Sequence, residues 1–393
     1  MTKIKLDQTV LQTNMTNWRR DIHRHPELGF GVIRTSDKVA ALLEEFGVEI
    51  HRGIGQTGIV GVLRRGNSTR AIGLRADMDA LPIQEANNFD HKSTHDGVFH
   101  GCGHDGHTSM LLGAAKVLSE SDTFDGTVYF IFQPSEEDGL GALAMIDDGL
   151  FERFPMDAVY GMHNMPGIPV GHFAVRKGTI MTSEDVFEIT IHGRGGHASM
   201  PERTVDPIIV GAEIIQALQT IVSRSLSSRE WGVVSITEVF TDGARNIIPS
   251  TFTIKGDCRA LSTDVQTTIE RRMREIVAGL CAAHGAKADV LYQHDFVPTV
   301  NSPDETDAAI QAAQAVAGDV GVDPDCPTCG ASEDFARMLQ QKPGCYILIG
   351  NGDTGPCSAS LHNPHYDLND EILSIGCQYW TTLVEQQLYK STD

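Results

Sequence analysis

The chain has 393 residues, 41% of them hydrophobic, which is too long for one small core and predicts a globular protein of two domains. Its 52 Asp and Glu against 31 Lys and Arg give a formal charge of -21, which repels phosphate backbones and anionic lipid and excludes nucleic acid and membrane surfaces as natural partners. The opening M-T-K-I-K-L-D-Q-T-V has no apolar signal region, and no later stretch reaches the roughly 20 apolar residues of a membrane span. The expectation is a cytoplasmic enzyme or binding protein whose eight cysteines are thiols, not a disulfide framework.

Apolar periodicity predicts helices over Thr16–Arg24 and Ile33–Phe46, then strands over Ile59–Leu63 and Ala71–Asp77. A helix over Thr108–Ser119, a strand over Thr127–Phe132, a helix over Gly141–Ile146 and a strand over Ala158–Met162 follow. This alternation predicts an α/β domain with a mostly parallel sheet and helices on both faces. Beyond Arg176–Glu184 the order changes to strand, long helix, two strands, long helix and strand, ending near Gln293. That is an inserted α+β domain, a four-stranded antiparallel sheet with two helices, cut at 183–294. The last hundred residues return to α/β character, so the main domain is discontinuous, 1–182 with 295–393.

The run His100–His107, H-G-C-G-H-D-G-H, places a thiol, three imidazoles and a carboxylate in one glycine-rich stretch. Glycines permit turns that aim neighbouring side chains at one point, and these donors suit a divalent metal. The remaining ligands have to come from elsewhere, with candidates at Glu136 and Glu137 in Q-P-S-E-E-D-G, His163 in Y-G-M-H-N and His362 in L-H-N-P-H-Y. Asp79, the Glu pair and His163 follow predicted strands, where open α/β sheets collect their ligands. Adjacent buried glutamates repel each other unless a cation or proton intervenes, so one can ligate while the other moves protons. Other motifs fail on context. G-I-G-Q-T-G at Gly53–Gly58 precedes a strand, where a dinucleotide loop needs a helix, and is a hairpin turn. C-P-T-C at Cys326–Cys329 has no second pair and no thioredoxin-like strand before it.

The strings W-R-R-D-I-H-R-H-P-E-L-G-F, L-R-A-D-M-D-A-L-P-I, H-G-C-G-H-D-G-H, Q-P-S-E-E, G-M-H-N, G-R-G-G-H-A-S-M-P, A-R-N-I-I-P, S-E-D-F-A and L-H-N-P resemble, in content and order, the aminoacylase and carboxypeptidase branch of the dinuclear metallopeptidases. Hippurate hydrolases and indole-3-acetyl-amino-acid hydrolases belong to that branch. The resemblance implies two divalent ions, zinc, manganese, cobalt or nickel, on Cys102, His104, Glu137, His163 and His362. It implies Glu136 as acid and base, Asp79 orienting a ligand imidazole, and His197 as a donor to the tetrahedral oxyanion, reaching it from the partner of a homodimer. It further implies that Asn246, with Arg259, takes a free substrate carboxylate. His23, His25, His107 and His365 lie in these strings without a ligand role and are read as structural. The expected reaction is hydrolysis of an N-acyl amino acid of acetyl, benzoyl or arylacetyl type. A hydrolytic deaminase on the same scaffold and a metal-binding protein without turnover are the alternatives.

Overall fold

The structure, a computed structural model, describes residues 8–390; the opening M-T-K-I-K-L-D lies outside them. Two compact units result. The first takes in the chain up to Ile180, Val300–Pro327 and the chain from Asp334 onward, and the second Met181–Thr299 with Thr328–Glu333. The second unit is therefore wider than the expected 183–294 and also claims a short segment far along the chain.

Eight strands form the sheet of the first unit. In chain order its first five are β1 (Glu49–Ile54), β2 (Gly58–Arg65), β3 (Ala71–Asp77), β4 (Gly126–Gln133) and β5 (Ala158–Pro166). They lie in the spatial order β1-β2-β4-β3-β5, followed by Gly344–Gly352 and two short edge strands, Phe173–Ala174 and Val322–Asp323. The centre is parallel, β4 with β3, β3 with β5, and β5 with Gly344–Gly352, while β1 and β2 join it antiparallel. β3 is buried at every residue, as expected of a parallel strand covered on both faces.

Three helices precede β4: α1 (Gln8–Arg24), α2 (Ile33–Glu45) and α3 (His104–Ser119). α3 packs against β3, α1, α2 and the closing helix Ile372–Gln387. A second group, Gly141–Asp147 with Phe335–Leu339, packs on β4 and β5. α3 starts four residues before the expected Thr108, because it is buried on nearly every side and shows little amphipathic period. β5 runs on through His163 to Pro166, where the polar H-N was expected to end it. β1, E-I-H-R-G-I, carries too few apolar residues to announce itself, yet it pairs with β2 around the expected hairpin turn.

The second unit is a four-stranded antiparallel sheet in the order Gly232–Thr241, Thr251–Ala260, Glu184–His192, Lys287–Phe296. Phe187, Ile189 and Ile191 alternate toward a core shared with Val210, Ile214 and Leu218 on one helix and Val265, Ile269, Met273 and Val277 on the other. Periods of two and of four thus meet on one covered face. Asp206 and Ser262 cap these helices by accepting from the backbone N–H of Ile208 and Val265. The first of them ends at Thr220, and Ile221–Ser225 continues as a π turn. Among the described residues no helix is long and apolar enough to cross a membrane.

Close helix packing beneath the sheet depends on glycine. A Cβ at Gly113 on α3 would overlap the thioether of Met15 on α1 and touch Sγ of Cys377. Overpacking such a contact costs about 1–3 kcal/mol. Gly113→Val is expected to lower the unfolding free energy by that amount in denaturant titration; unchanged stability would show that α1 can move aside freely.

Candidate metal and catalytic site

The parallel register builds the site. Asp77 at the end of β3 lies level with Gln133 at the end of β4, and Arg75 pairs with Gly161, which sets Asp77 beside His163 two residues further on. The carboxyl ends of three neighbouring strands therefore open onto one crevice. Asp79 lies just past β3, Glu136 and Glu137 just past β4, and His163 within β5. α3 begins at His104, directly after Cys102 and Gly103. The segment carrying His362 is tied to this loop by a hydrogen bond from the His362 N–H to the carbonyl of Gly101 at 2.8 Å. Ser135 and His362 both hold left-handed backbone, φ 53° and 63°, a strained geometry that places Glu136 and the His362 ring.

These segments bring the expected ligands together. Cys102 with His104 and His163, Cys102 with Glu137 and His362, and His104 with Glu136 and Glu137 each place their donor atoms within 4.8 Å of one another. Cys102 Sγ is 3.3 Å from His163 Nε2, and His362 Nε2 is 3.7 Å from Glu137 Oε2. Cys102, His104, Glu136 and His163 are buried, and His362 is exposed.

Each of these side chains is held in place. His163 Nδ1 donates to the carbonyl of Asn164 at 2.6 Å, which leaves Nε2 as a bare acceptor toward Cys102. Burial, assisted by the neighbouring His107, holds the His163 pKa far below its ordinary value, so the ring is neutral. Asp79 accepts from the backbone N–H of Glu136 at 3.0 Å and of Glu137 at 3.2 Å, fixing the loop that carries both. Its Oδ1 is also 3.5 Å from Nδ1 of His104. Glu136 Oε1 meets the backbone N–H of Asp334 at 3.4 Å.

A divalent cation fits this donor set. His104 is fully buried, and neither ring nitrogen makes a well-formed hydrogen bond. Around its Nε2 stand Asp77 at 3.8 Å and Glu136 and Glu137 at 3.9 Å. Burial alone would lower the His104 pKa, but Asp77, Asp79 and Glu137 outweigh it and push it up to about 10. Carboxylates crowded in this way demand positive charge, and a thiolate, imidazoles and a carboxylate are what a transition-metal dication accepts.

The other expected residues lie in the second unit. His197, exposed on the short strand Gly196–His197, faces Ile247 across a two-stranded ladder. Asn246 adjoins it, its carbonyl accepting from the Ala198 N–H at 3.1 Å. His197 Nδ1 accepts from the Ser199 N–H at 3.2 Å, so the ring's proton sits on Nε2, the tautomer that an oxyanion donor needs. Arg259 is engaged by Asp257 at 3.0 Å and Glu184 at 2.8 Å, so its charge is already balanced twice. Of the histidines expected to be structural, His23 is buried between Asp105 and Glu85.

A buried polar chain under the site was not legible in the sequence. Arg75 bonds Asp77 at 2.6 Å and Asp334 at 3.0 Å, and His107 bonds Asp77 at 2.6 Å and Asn164 at 2.7 Å. One signal was available. Beginning α3 at His104 puts His107 three residues on, one turn along the same face.

Known proteins agree with this geometry. The description "Peptidase family M20/M25/M40" matches residues 73–386. A hippurate hydrolase of Campylobacter jejuni is 41% identical over 378 residues, covering 96% of this chain and 97% of that protein. An N-acetylcysteine deacetylase of Bacillus subtilis is 37% identical over 374 residues, covering 94% and 96%. A solved Bacillus subtilis structure, described as a dinuclear metal binding peptidase from the M20 family, superposes with a TM-score of 0.84 at 32% identity over 97% of this chain and 99% of that one. The family match over most of the chain and the shared sequence make this chain a member of peptidase family M20/M25/M40.

Proposed function

We propose that this hydrolase cleaves the amide bond of N-acyl amino acids, releasing a carboxylic acid and a free amino acid. The observation that carries the reading is Glu136: a buried carboxylate 3.9 Å from His104 that need not ligate, because Glu137 beside it groups with Cys102 and His362. A protein that only bound metal would have no use for it. The names of the relatives, a hippurate hydrolase and an N-acetylcysteine deacetylase, favour the same bond.

Cys102, His104, Glu137, His163 and His362 would hold two divalent cations, a reading supported by two donor triads that share Cys102. When bound, such cations lower the pKa of water and polarise a carbonyl oxygen. Glu136 takes the proton from the attacking water on a carboxylate oxygen and returns it to the departing amine nitrogen. Asp79 holds both glutamates in place through their backbone N–H groups. His197, with its proton on Nε2, donates to the oxyanion from the partner of a homodimer, and Asn246 beside it binds the substrate carboxylate. Arg259 drops out of this reading because Asp257 and Glu184 already engage it.

Pairing of two copies through the second unit is supported by the edge strand Gly232–Thr241, ten residues long, which leaves Val239 47% and Phe240 51% exposed. Eight cysteines, none of them in a disulfide, suit a reducing, cytoplasmic setting.

Glu136→Gln is expected to keep its metal while kcat falls by about a hundredfold or more, the scale of a general base; a near-normal rate would remove Glu136 from the mechanism. Exhaustive chelation is expected to abolish hydrolysis of N-acyl amino acids, and readdition of zinc, manganese, cobalt or nickel to restore it. Full activity in metal-free protein, or release of ammonia with no carboxylic acid, would overturn the proposal.

A further inference from the structure

Four chain segments supply the proposed ligands, and a single buried hydrogen-bond chain joins three of them, those carrying His362, His163 and His104, behind the site. Tyr366, four residues after His362, accepts at its hydroxyl oxygen from Asn164 Nδ2 at 2.6 Å. Asn164 directly follows His163. Its Oδ1 lies 2.7 Å from His107 Nε2, one turn along α3 from His104, and His107 Nδ1 is 2.6 Å from Asp77 Oδ1. Tyr366, Asn164, His107 and Asp77 are all buried.

Gly103 is the point of contact with the ligand loop. It lies between Cys102 and His104 at the start of α3 with φ 101°. A Cβ there would overlap both Oδ1 of Asn164 and the hydroxyl of Tyr366. The bare glycine face thus rests directly on the Asn164–Tyr366 pair. The backbone of Tyr366 is itself fixed, its carbonyl accepting from Asn87 Nδ2 at 2.9 Å and its N–H donating to Asn363 at 2.8 Å. None of these four side chains appears in a donor triad with Cys102, and the proton transfers assigned to Glu136 do not use them.

We propose that Tyr366 and Asn164, pressed against Gly103 and braced by His107, form a clamp that presets the spacing of Cys102, His104 and His163 for metal. They are positioning residues, and the proposal rests on the metal site described above. A polar brace of this kind tunes affinity because ligands that must be gathered cost binding free energy, whereas ligands already gathered do not.

The test is Tyr366→Phe, which keeps the ring and removes the hydroxyl. Apparent Kd values for zinc are measured by chelator competition, with the visible spectrum of the cobalt-substituted protein as a second readout. Circular dichroism and gel filtration of the metal-free variant establish that it is folded. The expected result is a Kd weakened by about 10–100-fold and a shifted cobalt spectrum in a folded protein. Gly103→Ala, which pushes against the same pair, is expected to show the same signature. A folded Tyr366→Phe protein with wild-type Kd and spectrum would overturn the clamp and leave the metal site standing. Wild-type protein that binds neither zinc nor cobalt would overturn both.

Discussion

Crowded negative charge at the ends of three parallel strands is the constraint on which the catalytic unit depends. Asp77, Asp79, Glu136 and Glu137 surround the buried ring of His104, and Cys102 adds a thiol beside His163. Such a group cannot remain anionic in a low-dielectric interior without compensation. Part of it is built in, since Arg75 neutralises Asp77 and Asp334 from below. The rest has to come from protons or metal ions, and His104, pushed up to about 10, marks where a cation is wanted most.

Rigid elements and strained turns divide the work of placing these groups. β3, β4 and β5 fix height and direction through their register, and α3, packed on β3, brings in His104 and His107. Precise aim comes from irregular backbone: Gly103 and the left-handed Ser135 and His362. Left-handed conformations at non-glycine residues persist only where surrounding bonds enforce them. Asp79 grips the loop after Ser135, and Gly101 grips His362.

The sequence disclosed the ligands more readily than the framework that aims them. Cys102 and His104 stood out because glycines flank them, and Glu136 and Glu137 because two carboxylates follow a strand. Regular elements with a clear period were equally legible, Ala71–Asp77 having the bounds expected of it. Where burial is nearly complete the period vanishes, so α3 was placed four residues late and His107 lost its relation to His104. The Tyr366–Asn164–His107 chain links residues 202 and 57 positions apart, and contacts of that kind leave no local pattern. Roles for His197, Asn246 and Arg259 came only from resemblance, and the ion pairs of Arg259 were not visible in G-D-C-R-A.

The central claim is that one thiolate, three imidazoles and one glutamate share divalent metal beside a second glutamate that moves protons and does not ligate. Anomalous scattering from crystals grown with zinc, collected on both sides of the zinc edge, tests it most directly. The account predicts peaks at the site enclosed by Cys102, His104, Glu137, His163 and His362, with Glu136 outside the coordination sphere. Zinc bound only elsewhere on the chain, or liganded by Glu136 in place of Glu137, would contradict it.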